Sequence, residues 1–145
     1  MFYADSSLLV SYYLTDAHSA RATHIIESSA DPFAFTDLHA LEVRNAFRLA
    51  EFRKQITAEE AEAAWKDVRN DLTAGLLERV VFSWPAVFRR ASGLSDHHTA
   101  RQGNRSLDIL HVGADLARNA AEFVSFDDRQ TALAWKAAAL IRAAR

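Results

Sequence analysis

The sequence predicts an α/β fold, a parallel sheet of four to five short strands with helices on both faces. Three observations lead there. Short apolar runs alternate with longer stretches of helical periodicity along the chain. The 145 residues include 28 alanines against four glycines and two prolines, a helix-rich composition. Strand-length runs separated by helices favour parallel pairing, and a parallel sheet is covered on both faces.

The elements follow in order. Phe2–Ala4 is short and aromatic and reads as the first strand. Asp5-Ser6-Ser7 offers capping side chains before the apolar Leu8-Leu9-Val10. His18 to Ser29 carries Ala22, Ile25 and Ile26 at helical spacing, and Asp31-Pro32 breaks the pattern. Phe33–Thr36 reads as the second strand. From Asp37 to Lys54 the apolar positions Leu38, Leu41, Phe47, Leu49 and Phe52 alternate with arginines, which predicts a long amphipathic helix. Thr57 and Glu60 form a capping box for a helix that runs to about Thr73, with Gly75 as its terminating glycine. Arg79–Phe82 reads as the third strand. Ser83 and Pro85 open the next helix. His97 to Ser106 is polar, contains Gly103 and Asn104, and reads as a loop. Leu107 to Asn119 is helical, Phe123–Phe126 is the fourth strand, and Asp127 to Gln130 caps a last helix.

Length and composition bound what such a fold does. One domain, residues 1–145, is expected, with enough apolar residues for a single core. A quarter of the residues are charged and the formal balance is −2, which speaks against disorder and against gripping nucleic acid by bulk positive charge. The absence of cysteine excludes disulfides, thiolate zinc sites and cysteine nucleophiles. No apolar run approaches the roughly 18 residues of a membrane span, and MFYADSSLLVSYYLTD lacks the basic start of a secretory signal. A cytoplasmic protein is expected.

In a parallel sheet, ligands collect beyond the C-terminal ends of the strands. Asp5 directly follows strand one and Asp127 directly follows strand four. Glu42 lies on the helix leaving strand two, and Asp108 in the first turn of the helix before strand four. Asp5 and Asp127 also suit helix caps, and Asp108 suits the helix macrodipole. Glu42, between Leu41 and Val43 at the border of the apolar stripe, needs a partner. Two like charges 4 Å apart repel by about 4 kcal/mol at an effective dielectric near 20, so four carboxylates in one cleft require protons or a cation. An oxygen-only donor set points to Mg²⁺ or Mn²⁺, ions that promote phosphodiester hydrolysis.

FYADSS at the start, LHALEVRNA after strand two, RSLDILHVGAD before strand four and the closing FVSFDDRQ together resemble a PIN domain, most nearly the VapC toxins, the ribonuclease half of type II toxin–antitoxin pairs. The resemblance implies a PIN-domain-like sheet with an acidic pocket at its C-terminal edge. It also implies metal-dependent cleavage of single-stranded or loop RNA, a cognate antitoxin and a homodimer. Asp5, Glu42, Asp108 and Asp127 match the four family acids. Ser7 matches a small hydroxyl residue, and Ser125 stands where the family usually has threonine; both are expected to support carboxylates or water. On this reading Asp5, Asp108 and Asp127 hold one Mg²⁺, and Glu42 places the attacking water or holds a second ion. Asp115 and Asp128 are further acids, supplementary or solvated.

RNA approaching an acidic pocket requires local cations. Arg44, Arg48, Arg101, Arg105 and Arg129 flank the acids, and 14 of the 17 basic residues are arginine. His97, His98 and His111 read as structural or peripheral, and Trp65, Trp84 and Trp135 as core or interface. Two other readings compete. An aspartate-based phosphoryl-transfer protein of the receiver kind needs a lysine after a late strand, and none of Lys54, Lys66 and Lys136 follows one. A PIN-like RNA- or protein-binding module without catalysis would have lost acids, whereas all four positions are filled.

Overall fold

The computed structural model describes residues 1–118 and 122–143, with side chains through residue 138. The elements are β1 (Tyr3–Ala4), α1 (Ser6–Tyr13), α2 (Ser19–Ser28), β2 (Phe33–Phe35), α3 (Asp37–Phe52), α4 (Ala58–Ala74), β3 (Leu77–Arg79), α5 (Trp84–Leu94), a π-helical turn (Ser95–Thr99), α6 (Ala100–Gln102), α7 (Ser106–Arg118), β4 (Phe123–Val124) and α8 (Asp128–Ala143). The helix expected over Leu107 to Asn119 reaches Arg118; Asn119 lies outside the described residues. The chain divides into two compact units, Met1 with Ser6–Val81, and Phe2–Asp5 with Phe82–Arg145.

In the first unit β2 and β3 pair in parallel, with Phe33 opposite Leu77 and Phe35 opposite Arg79. Thr36 ends β2 and starts α3 in one step. Its hydroxyl accepts the His39 N–H at 3.2 Å, and its own N–H donates to His39 Nδ1 at 3.1 Å. This is a capping box in which histidine replaces the usual glutamate. The predicted box at Thr57 and Glu60 opens α4, and Gly75 closes it at φ 82°, a left-handed conformation natural only to glycine. Helix α1 packs on α2 and α3, and α3 packs on α4.

In the second unit β1 and β4 pair in parallel, Tyr3 opposite Phe123 and Ala4 opposite Val124. The Tyr3 ring stacks on Phe123 at 6.1 Å, and its hydroxyl meets His111 Nδ1 at 3.1 Å, both residues being buried. Helix α7 packs against α5 and α8. Ala91, Leu94, Ile109, Val112, Leu133, Ala134 and Ala137 form the core there. Helices α5 and α7 meet at Gly113, where an added Cβ would stand 3.3 Å from the Val87 carbonyl oxygen and 3.4 Å from the Ala91 nitrogen.

Several expectations need correction. The described residues form two parallel two-stranded sheets rather than one sheet of four to five strands. The strands are only two or three residues long because helices claim the chain at once: α1 begins at Ser6 and α3 at Asp37. The third strand is Leu77–Arg79, not Arg79–Phe82. Val80 still donates to the Phe35 carbonyl at 2.9 Å, but Thr36 has already turned into α3, so the ladder ends with its partner and Val81 is exposed. Most of the expected loop at His97–Ser106 is helical, through the π-helical turn and α6, until Gly103 at φ 65°. Polarity there signals exposure, and no breaker stands before Gly103. On α3 the buried face is Leu38, His39, Val43, Phe47 and Ala50, and Leu41, Leu49 and Phe52 are exposed. Leu41 sits two residues from both His39 and Val43, about 200° round the helix from each. Trp135 is 73% exposed and so is not core; Trp65 and Trp84 are half-buried.

Candidate functional site

Three of the four predicted acids belong to the second unit, where a chain of hydrogen bonds connects them. The β1–β4 pairing starts it. The Asp5 N–H donates to the Val124 carbonyl at 3.0 Å, which sets Asp5 beside the first residue after β4. That residue is Ser125, whose hydroxyl donates to Asp5 Oδ2 at 2.8 Å and accepts the Asp127 N–H at 2.9 Å. One hydroxyl thus fixes both carboxylate-bearing strand ends. Asp5 is buried, 2% exposed.

Asp127 caps α8. Its Oδ1 accepts the Arg129 N–H at 2.8 Å, and the Arg129 guanidinium approaches Oδ2 at 3.3 Å. Burial pushes the Asp127 carboxyl up, but the side-chain and backbone hydrogen bonds of Arg129, its charge and the Gln130 N–H outweigh burial and hold the carboxyl below its ordinary value. The capping role and the site role are therefore compatible in the same side chain.

Asp108, 4% exposed, sits in the first turn of α7. Its Oδ2 accepts the Arg105 backbone N–H at 3.2 Å and Nε–H at 3.1 Å, and its Oδ1 accepts the Gln130 Nε2–H at 3.1 Å. Arg105 Nη2 also lies 3.6 Å from Asp127 Oδ2, so one guanidinium spans Asp108 and Asp127. Two of the three carboxylates, Asp108 and Asp127, thus meet the guanidiniums of Arg105 and Arg129. Among the described residues no three acidic or histidine side chains are grouped as a ready-made metal site.

Glu42 belongs to the first unit. It is half-buried on α3, and its Oε2 accepts the Ser6 hydroxyl at 2.8 Å, so the partner its position demanded exists. Ser6 is buried and Ser7 is exposed. The Ser6 hydroxyl, next to the expected Ser7, thus reaches an acid in this segment. Arg44 lies over the Trp65 ring at 5.2 Å, and Arg48 pairs with Glu51 and Glu62. Arg101 is exposed on α6.

Sequence reasoning missed Gln130. It was readable only as a helix-capping residue, because nothing in FVSFDDRQ shows that its amide reaches back to Asp108. It is 5% exposed, its Nε2 is used on Asp108, and its Oε1 is buried without a hydrogen-bond partner. Asn104, next to Arg105, is also buried with both amide atoms unpartnered. Such orphaned atoms are costly unless something pairs with them.

The other residues take bystander positions. His111 is buried on Tyr3, and His97 bonds the Gly93 carbonyl oxygen at 2.7 Å. Burial, then the charges of His97, Lys136 and Arg101, holds His98 below its ordinary value. Asp128 is exposed at the start of α8. On α7, burial pushes Asp115 up to about 7, and its Oδ1 has no hydrogen-bond partner. Lys66 lies inside α4, Lys136 inside α8, and Lys54 just beyond α3, so none follows a strand, as the receiver reading would require.

In donor chemistry the carboxylates of Asp5, Asp108 and Asp127, with no sulfur among them, are of the kind a hard divalent cation takes, and Gln130 beside Asp108 keeps a buried Oε1 with no protein donor.

This is an α/β fold with acids at the C-terminal ends of a parallel strand pair. A solved structure shares it. The crystal structure of VapC20 from Mycobacterium tuberculosis, described as a Sarcin-Ricin loop cleaving toxin, matches with a TM-score of 0.66 over 91% of this chain and 94% of that chain, at 16% sequence identity. The α/β architecture expected from the sequence, and the resemblance to VapC toxins stated there, agree with that likeness. No protein-family model and no curated protein matches the sequence.

Proposed function

We propose that this chain is a metal-dependent endoribonuclease, the toxin of a type II toxin–antitoxin pair. The observation that carries the proposal is the linkage Asp5–Ser125–Asp127–Arg105–Asp108 in a fold shared with VapC20. Asp5, Asp108 and Asp127 would hold Mg²⁺ or Mn²⁺. Such an ion, when bound, polarises a phosphate and lowers the pKa of water.

The remaining work falls to the chain's own residues. Ser125 orients Asp5, Gln130 orients Asp108, and the Arg129 N–H orients Asp127, each by a hydrogen bond. Glu42, oriented by Ser6, enters the proposal as the fourth family acid. Arg44, Arg48, Arg101, Arg105 and Arg129 are the proposed phosphate contacts; the fork geometry of arginine suits them. No protein nucleophile is required, so cleavage should leave 5′-phosphate and 3′-hydroxyl ends. A small antitoxin and a second copy of the chain are the proposed protein partners, and the cytoplasm the proposed compartment.

The test is cleavage of RNA by the purified chain with and without Mg²⁺. Total RNA and an RNA carrying the sarcin–ricin loop, the target named for VapC20, serve as two arms. Magnesium-dependent cleavage that Asp5→Asn and Asp108→Asn both abolish supports the proposal. A folded chain that cleaves neither RNA at any divalent concentration leaves the non-catalytic binding module as the better reading.

A further inference from the structure

Resting on the nuclease reading above, we infer that Arg105 is a built-in counter-ion of the acid set: its guanidinium occupies Asp108 and Asp127 until a divalent cation displaces it. The geometry sets the two cations in competition. Arg105 Nε and Nη2 stand 3.1 and 3.6 Å from one oxygen each of Asp108 and Asp127, the two carboxylates a metal ion would share. A guanidinium and a divalent ion on the same oxygens repel, so one leaves.

Arginine is the group able to leave. Its side chain is 68% exposed, whereas those of Asp108 and Asp127 are 6% and 22% exposed. Its departure does not release the acids. Asp108 keeps the Arg105 backbone N–H at 3.2 Å and the Gln130 amide at 3.1 Å, and Asp127 keeps the Arg129 N–H at 2.8 Å. The guanidinium therefore supplies charge, and the backbone and Gln130 supply placement. Water screens the exposed guanidinium side of both pairs, which eases the exchange. The displaced guanidinium remains tethered one turn from Asp108, where its planar fork is free to take a phosphate oxygen pair of the substrate.

Calorimetric titration of Mn²⁺ into the metal-free full chain, without RNA, tests this. Arg105→Ala should bind Mn²⁺ about two- to fivefold more tightly than the unaltered chain, as loss of a solvent-facing guanidinium from the two acids implies. Arg105→Lys should fall between them, because it keeps the charge without the fork. Equal or weaker binding by Arg105→Ala, with the unaltered chain binding normally, overturns the inference. A second readout needs no variant: the Arg105 Nε–H resonance should shift on saturation with diamagnetic Mg²⁺, and an unmoved resonance in the saturated protein overturns it as well. If neither folded chain binds Mn²⁺, the metal reading itself fails, a result separable from failure of the counter-ion alone.

Discussion

The Ser125 hydroxyl donates to Asp5 Oδ2 at 2.8 Å although 120 residues separate the two. The contact exists because β1 and β4 run parallel in register, so the residues that follow each strand emerge side by side. Ser125→Ala removes the donor from a buried carboxylate. It should lower stability by about 1.5–3 kcal/mol, measured as a shift in denaturant midpoint, and should reduce cleavage. Ser125→Thr keeps the hydroxyl and should restore both. Equal effects of alanine and threonine would show that shape, not the hydrogen bond, matters.

Gln130→Leu keeps the side-chain bulk and removes the amide that orients Asp108. Mn²⁺ affinity by calorimetry should fall about 10- to 100-fold, the usual cost of losing a partner that orients a metal ligand. Unchanged affinity would detach Gln130 from the site and return it to the helix-capping role read from the sequence.

Two carboxyls give stability opposite dependences on pH. Asp127 is held below its ordinary value of 3.8, so its contribution is present above about pH 4 and is lost as pH falls further. Asp115 is pushed up to about 7 from 3.8. Between those values the folded chain binds the extra proton, so stability falls as pH rises from about 4 to about 7 and stays low above. Asp115→Asn should flatten that decline and raise the melting temperature at pH 8. A variant less stable than the parent at pH 8 would mean that the ionised carboxylate has a stabilising partner.

Gly113 marks the close approach of α5 and α7, the helix that carries Asp108. A Cβ there meets helix backbone at 3.3–3.4 Å, which has little room to yield. Gly113→Val should cost about 1–3 kcal/mol by thermal or chemical denaturation. An unchanged midpoint would mean that α5 moves aside freely.

The sequence made the α/β order, the approximate strand positions and the acids legible, because strand-following acids and capping boxes are local signals. Thr57 with Glu60 and Gly75 took the predicted geometry for that reason. What stayed hidden depends on partners distant in the chain. The third strand moved to Leu77–Arg79 because β2 stops at Phe35, which no reading of Arg79–Phe82 alone reveals. The polar stretch from Ser95 to Gln102 stayed helical because polarity marks exposure as readily as it marks a loop. Ser6 reaches Glu42 across 36 residues, and Gln130 reaches Asp108 across 22; both are facts of side-chain direction.

The most direct test is to sequence the ends of RNA fragments made by the purified chain. With Mg²⁺, new 5′-phosphate and 3′-hydroxyl ends should appear, vanish with chelator, and fall more than about 100-fold in Asp5→Asn, which removes a proposed ligand rather than its support. Fragments ending in 2′,3′-cyclic phosphate, or cleavage that persists in chelator, would contradict metal-assisted attack by water at Asp5, Asp108 and Asp127.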